Sequence, residues 1–379
     1  MKVCVLAGGS FEKNRAEYHL TRDFIAYFLD KGAEVSLIQK YENQQNVLPD
    51  ILRDRQGFRL YEYQVEAVKK QNFIGRMLGE MRYYLRAMKA IRKEKDSDVF
   101  FLQSNNCAYL PIFLIHFFTR KPVLYNEQDI FPQNAFLAGI LGEKSLSGRI
   151  LFALQKWALR HADGVITISE DMKNTLQEAG AKNVWVAYNW KNDGNGEKLP
   201  GYDDGKFHAV YAGNVGVMQN VELIMEAARH LKDNPEICFD IYGNGAYLEK
   251  CKVQAEGLSN VYFREPVAVH QAFSLYENAD VNLVPLCKGV IATALPSKTA
   301  VCLQCGKPVI FCFDEDAEFS KEMMSAGCPV VSPEDAAGLA KAILEMQKAP
   351  VYPGESAKAL FDKEKSLEVY GQALETLIN

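Results

Sequence analysis

The sequence predicts an α/β protein of two successive Rossmann-like domains, each built on a parallel sheet. Short apolar strands alternate with amphipathic helical stretches through the first half. A polar stretch rich in Gly and Asp, "KNDGNGEKLPGYDDG" at residues 191–205, then interrupts the pattern. The alternation restarts with a strand that ends on glycine, as βαβ units do. At 379 residues the chain is long enough for two domains of ordinary size.

"KVCVLA" is the first strand, and it runs into Gly8 and Gly9. Residues 15–31 have helical periodicity and stop at Gly32. "EVSLI", "DVFFLQ", "PVLYN", "GVITIS" and "NVWVA" follow as further strands with helical stretches between them. After the linker the strands are "FHAVYAG", "EICFDIYG", "NVYF", "DVNLVPL", "KPVIFCF" and "PVVSP". Helices are expected near residues 221–230, 247–256, 269–277, 297–305 and 335–347. A last helix, 355–378, has no strand after it, and crossing back to the first domain is one place for it to pack. The expected division is 1–190, a linker at 191–206, a second domain at 207–350, and a terminal helical segment at 351–379.

Composition narrows the function. The chain is 48% hydrophobic and 24% charged, which suits a globular protein rather than a disordered one. A formal net charge of −5 argues against a general nucleic-acid binder. The nine cysteines lack paired metal spacing: Cys302 and Cys305 have no second pair and no nearby His. The six histidines show no metal spacing either and read as structural. No GxSxG, HExxH or Walker sequence is present, and no metal or cofactor is called for. "MKVCVLAGG" reads as a strand rather than a signal peptide, and "YLPIFLIHFF" (109–118) is too short to span a bilayer. The expectation is a cytosolic chain.

Five stretches carry possible chemistry. In "VYAGNVGVMQNVELIMEAA" (210–228) a strand ends at Gly213 and a helix follows. Gly213 and Gly216 permit close backbone approach, and Asn214 and Gln219 add donors, so the turn is a candidate phosphate cradle. An ordinary tight turn fits as well. "IYGNGAYL" (241–248) repeats the plan with Gly243 and Gly245, but lacks the rest of a dinucleotide fingerprint. "TALPSKTAVCLQCGKPVIF" (293–311) starts a helix at Pro296 and Ser297, with Ser297 the expected N-cap. Lys298 sits where the helix dipole favours an acid. It either points to water at small cost or waits for an anion beyond a strand end, where open parallel sheets bind ligands. "YNEQDIFPQNAF" (125–136) places Glu127 and Asp129 just past a strand, which suits a cleft-facing site or a solvated loop equally. Residues 73–95 form a basic amphipathic helix, with Ile74, Met77, Leu78, Met81, Leu85, Met88 and Ile91 as its apolar face. Arg76, Arg82, Arg86 and Lys89 lie on it, and such a helix can rest on anionic lipid or simply be solvated.

In order and spacing, "YAGNVGVMQN", "IYGNG", "NVYFREPV", "LYENADVNLVPL" and "LPSKTAVCLQCGKPVIF" resemble GT-B-fold glycosyltransferases of the family 4-like group, in its bacterial polysaccharide-assembly branch. "YNEQDIFPQN" and "RHADGVITISEDMKNTL" match more loosely in the first half. The resemblance implies a retaining transfer of sugar from a nucleotide-sugar donor, of UDP type, to a glycan or lipid-linked glycan at the inner membrane face, usually without a metal. It implies that Gly213, Asn214, Gly216 and Gln219 line the donor diphosphate with Pro296, Ser297, Lys298 and Thr299. Gly243 and Gly245 would lie near the nucleoside, and the backbone of Val267 near the base. Gly8 and Gly9 would approach the diphosphate, and Glu127 or Asp129 the reacting sugar. Lys298, Glu127 and Asp129 are the catalytic candidates. Many members carry Glu at the places of Thr293 and Val301, and basic residues on the first phosphate loop. Their absence leaves Lys298 as the main cation, and keeps a non-catalytic partner subunit or a sugar-nucleotide epimerase on the same fold as alternatives. No convincing DxD metal site is read near a strand end; Asp203-Asp204 falls in the linker and reads as solvated.

Overall fold

The chain is described by a computed structural model covering residues 1–12, 18–68, 73–192 and 198–379; the side chains of residues 73 and 74 are outside the description. Two units emerge: Met1–Tyr188 together with Lys363–Asn379, and Asn189–Asp362.

The first unit holds seven strands: β1 (Lys2–Leu6), β2 (Glu34–Tyr41), β3 (Phe58–Gln64), β4 (Val99–Gln103), β5 (Val123–Asn126), β6 (Gly164–Thr167) and β7 (Val184–Val186). They pair in parallel in the order β3-β2-β1-β4-β5-β6-β7. The inner strands are covered on both faces, so they read as continuous apolar runs. Strand order reverses between β1 and β4, which opens the ligand end of the sheet after Leu6 and Gln103. β3 had no counterpart in the sequence reading. Its "FRLYEYQ" is an edge strand that carries polar residues and has no fully buried position.

The predicted helix 15–31 is observed as Tyr18–Asp30, and residues 13–17 lie outside the description. The helix Lys363–Ile378 packs on the first unit's sheet. Its Tyr370 ring lies 5.4 Å from Phe24 and 5.7 Å from Phe101, and Ser366 Oγ donates to the Tyr188 carbonyl at 2.7 Å. The expected helix 355–378 is thus two helices: Glu355–Leu360 belongs to the second unit and Lys363–Ile378 to the first.

The second unit has β8 (Phe207–Ala212), β9 (Ile237–Tyr242), β10 (Val261–Arg264), β11 (Val281–Pro285), β12 (Val309–Cys312) and β13 (Val330–Val331). The parallel order is β10-β9-β8-β11-β12-β13, with its reversal between β8 and β11. Helices Val221–His230 and Ala336–Lys348 close the core over Tyr211, Ile224, Phe239, Leu283 and Ile343. Asp335 caps the latter helix by accepting from Gly338 N at 2.8 Å. The reversal places the turn at Gly213 and the loop after β11 side by side, the position at which such sheets bind ligands. The helix Glu318–Ser325 was not predicted.

Candidate functional site

In the second unit the chain leaves β8 through Gly213, whose φ of 144° favours glycine. It makes a turn that interlocks with the turn after β9. Gly213 N donates to the Tyr242 carbonyl, Val215 N to Asn244 and Tyr247 N to Val215, each at 2.9 Å. A Cβ on Gly243, at φ 150°, would lie 1.8 Å from the Gly213 oxygen. One on Gly245 would lie 2.1 Å from the Val215 oxygen. These two glycines are therefore required so that one loop can press on the other. Asn214 Nδ2 donates to Gln219 Oε1 at 3.0 Å, so the two expected donors bond each other across Gly216. A Cβ on Gly216 would stand 2.5 Å from that Asn214 nitrogen.

The loop after β11 passes a short 3₁₀ turn, Val290–Ala292, closed by Thr293 Oγ1 donating to the Val290 carbonyl at 3.0 Å. The next helix runs Lys298–Gln304. Ser297 stands at the N-cap position, but its side chain does not cap the helix. Ser297 has helical dihedrals (φ −59°, ψ −24°), its side chain makes no capping bond and it is exposed, because the turn is instead closed by Thr299 N donating to Pro296 O at 3.0 Å.

Lys298 does not point to water. Its stem reaches the surface, so the residue is half-buried, but Nζ itself is shut away from solvent. Nζ lies 3.6 Å from the centroid of the Tyr211 ring and 2.9 Å from where a Cβ on Gly213 would stand. Among the described residues it has no hydrogen-bond partner, and neither has the buried Oγ1 of Thr299, the next residue in the chain. The ring face attracts the cation but cannot accept its three N–H bonds. Burial pulls the amine down to about 7, with Cys302 nearby acting in the opposite direction. Tyr211 is held in place by its hydroxyl, which donates to the Asn214 carbonyl at 2.6 Å. Tyr211 lies in the predicted strand "FHAVYAG" and is buried there; nothing in its pattern marks the ring as a rest for Lys298. Val267, half-buried in the loop after β10, follows the C-terminal end of that strand.

In the first unit Gly8 and Gly9 follow β1. A Cβ on Gly8 would stand 3.8 Å from the Ser104 oxygen, and one on Gly9 3.2 Å from the Tyr18 hydroxyl. Ser104 Oγ donates to Glu127 Oε1 at 3.5 Å, so Gly8 and Glu127 share one corner of the sheet. Glu127 is buried, tied by its N–H to the Ile166 carbonyl and by its carbonyl to Thr167 Oγ1, each at 2.8 Å. It is not a solvated loop residue. Burial pushes its carboxyl well up, and the charge of Asp129 adds to this. Asp129, two residues on, is exposed.

Two other readings change. Asp204 is not a free linker carboxylate. Its Oδ1 lies 2.9 Å from His208 Nε2, while His208 Nδ1 lies 2.6 Å from the buried Asp240, which also accepts from Arg264 at 2.8 Å. Tyr202 stacks on His208 at 3.7 Å. The last third of the linker is therefore fastened to the second unit, while residues 193–197 lie outside the description. Asp204, His208 and Cys238 come close enough to share a cation. On the basic helix, Phe73–Lys93, Arg76, Arg82, Arg86 and Lys89 are exposed as expected. Its buried side is Tyr83, Tyr84, Ala87, Ala90 and Ile91, whereas Leu78 and Leu85 are 44% and 48% exposed and share the solvent side with the arginines. The aromatic pair outcompetes the leucines for the core because it fills more volume there.

Family models match both parts of the chain: "Glycosyltransferase Family 4" over residues 20–192 and "Glycosyl transferases group 1" over residues 206–349. A probable glycosyltransferase WbjE of Pseudomonas aeruginosa is 26% identical over 297 residues, 73% of each chain. A putative colanic acid biosynthesis glycosyl transferase, WcaI of Escherichia coli K12, is 30% identical over 60% of this chain and 61% of its own length. Sucrose-phosphate synthase from Thermosynechococcus elongatus shares the fold, with a TM-score of 0.73 at 15% identity over 99% of this chain and 98% of that one. Two parallel Rossmann-like sheets, glycine turns at both reversals and matches to these models over both halves place the chain among the GT-B, family 4-like glycosyltransferases, and it is an enzyme of that class.

Proposed function

We propose that the enzyme moves a sugar from a nucleotide-sugar donor, of UDP type, to a glycan or lipid-linked glycan in bacterial cell-surface polysaccharide assembly. The colanic acid biosynthesis in the name of the Escherichia coli relative supports the polysaccharide setting. The observation that carries the donor side is the enclosed amine of Lys298, held on Tyr211 against Gly213 without an acceptor.

Cleaving a sugar–diphosphate bond builds negative charge on the leaving oxygens. A cation and N–H groups already in place stabilise that charge without rearranging at the moment of reaction. In this reading Lys298 leaves the ring for the diphosphate and Thr299 Oγ1 turns to it as the donor binds, before the bond breaks, and the Gly213–Gly216 backbone approaches closely. The cation does the work that a metal does elsewhere, so the transfer is assigned as metal-independent, and by family as retaining. Glu127 and Asp129 are assigned to the reacting sugar and acceptor. The Val301 position offers no carboxylate to the ribose, which leaves the Gly243–Gly245 turn and the loop at Val267 to hold the nucleoside.

A peripheral membrane contact is part of the proposal. No helix among the described residues is long and apolar enough to cross a membrane. The stripe Leu78, Arg82, Leu85, Arg86 and Lys89 instead presents apolar and basic groups together to solvent, as interfacial helices do.

Calorimetric titration of UDP and UDP-sugars into wild type and Lys298→Ala tests the donor assignment. The loss of a charge-assisted bond should weaken binding by about 10- to 150-fold. Equal affinities would overturn it.

A further inference from the structure

In the second unit, three kinds of metal-binding side chain meet at the end of the sheet away from the glycine turns. His208 and Cys238 are register partners near the starts of β8 and β9, and each is 1% exposed. Asp204 reaches them from the linker and is exposed at the rim. One ligand atom from each lies within 4.8 Å of the other two. Spacing in the sequence hides this set, because strand pairing brings Cys238 to the other two.

The hydrogen bonds of His208 call for a cation. Its Nδ1 lies 2.6 Å from the buried Asp240 carboxylate, which accepts, so Nδ1 is the donor. Nε2 then faces Asp204 Oδ1 at 2.9 Å. A lone pair and a carboxylate oxygen at that distance need a positive group between them. A proton supplies it, and so does a metal ion. The Cys238 thiol favours the metal, since a proton between two atoms has no use for a third ligand. Zinc takes thiolate sulfur, imidazole nitrogen and carboxylate oxygen in one tetrahedral set.

The surroundings are those of a ligating histidine. A metal-bound imidazole donates its other nitrogen to a carboxylate or carbonyl, as His208 does to Asp240. Asp240 is steadied by Arg264 Nε at 2.8 Å, and Tyr202 stacks on the imidazole at 3.7 Å. Tetrahedral zinc separates its nitrogen and oxygen ligands by about 3.3 Å, so the 2.9 Å contact has to widen only slightly. Contacts at the wide end of the set have to draw in by about 1 Å, and Asp204 gives the ion its way in. Charge also balances. Zinc displaces the proton between His208 and Asp204 and the thiol proton of Cys238 to solvent, two positive charges for two, so burial does not oppose the exchange.

We propose that Asp204, His208 and Cys238 form a zinc site, with water as the fourth ligand, that fastens the linker to the second unit. Asp240 is its positioning residue, aiming Nε2 at the ion. Without zinc a proton fills the place between His208 and Asp204. The site is independent of the donor assignment, because Gly213 and the Lys298 amine beside it lie past the other end of β8.

The test uses the full chain stripped of metal by a chelator, with cobalt(II) as the spectroscopic probe and zinc as its competitor. Wild type should bind one cobalt per chain, with a thiolate-to-cobalt charge-transfer band and the strong visible bands of four-coordinate cobalt, and zinc should bleach both. Cys238→Ala should abolish the charge-transfer band. Asp204→Asn changes an exposed side chain, keeps the fold, and should weaken binding tenfold or more, at least the cost of losing an outer partner. Zinc should slow amide hydrogen exchange over residues 199–206 in wild type and not in Asp204→Asn. Four results overturn the proposal: no saturable cobalt binding by wild type, binding without the thiolate band, the same band and affinity in both variants, or linker exchange indifferent to zinc.

Discussion

Binding of a nucleotide sugar should make the protein take up a proton at pH 8 but hardly any at pH 6. Burial holds the Lys298 amine at about 7. At pH 8 only about a tenth of free molecules then carry the ammonium, and at pH 6 about nine tenths do. If the diphosphate restores the amine to its ordinary range, uptake is about 0.9 proton at pH 8 and about 0.1 at pH 6. The same difference makes Kd about tenfold weaker at pH 8 than at pH 6, or about 1.4 kcal/mol. A nucleotide sugar suits the experiment better than a free diphosphate, because its phosphodiester groups do not titrate in this range. Calorimetry in two buffers of different ionisation enthalpy reads the uptake directly. Lys298→Met should abolish both the uptake and the pH slope. It should also stabilise the unliganded protein or leave it unchanged, since a buried ammonium without acceptors opposes folding. Uptake below about 0.2 proton at pH 8, or the same uptake by the Met variant, would refute the reasoning.

Gly243→Ala should cost several kcal/mol, roughly 3 or more, because its methyl would overlap the Gly213 carbonyl at a φ that disfavours it; a denaturant midpoint equal to wild type would contradict the interlocked turns. Burial opposes charge on His208, but hydrogen bonds and attraction from Asp240 and Asp204 override it and raise its pKa above 6.5. Its contribution to stability is therefore full below pH 6.5 and fades as pH rises through the raised value, and His208→Gln should flatten that slope in urea unfolding from pH 5.5 to 9. Replacing Arg82, Arg86 and Lys89 together by Gln should reduce sedimentation with anionic vesicles roughly tenfold or more at low salt, at about 1 kcal/mol per basic residue, with UDP binding unchanged; equal sedimentation would remove the membrane reading.

The strands were legible where both faces of a sheet are covered. The apolar runs at β1, β4, β5, β8 and β11 can be little else, and the glycines after β1, β8 and β9 marked the turns. β3 escaped because an edge strand with one wet side, "FRLYEYQ", has no continuous apolar run. The leucines of Phe73–Lys93 misled because helical periodicity names two candidate stripes and only packing chooses between them. Lys298 stood out as a charge at the wrong end of a helix, but the sequence could not show that its head folds back onto Tyr211. Ser297 had the composition of a cap and not its dihedrals. Glu127 and Asp129 look alike in the sequence; the sheet buries one and exposes the other.

The central claim is that this glycosyltransferase places the leaving diphosphate on Lys298. The most direct measurement is release of nucleoside diphosphate from a panel of nucleotide sugars in the presence of lipid-linked glycan extract, by wild type and by Lys298→Met. Acceptor-dependent release by wild type from at least one donor, reduced about a hundredfold or more in the variant, is the predicted result, in line with the loss of one preorganised charge-stabilising group. Equal rates from the two proteins would contradict it.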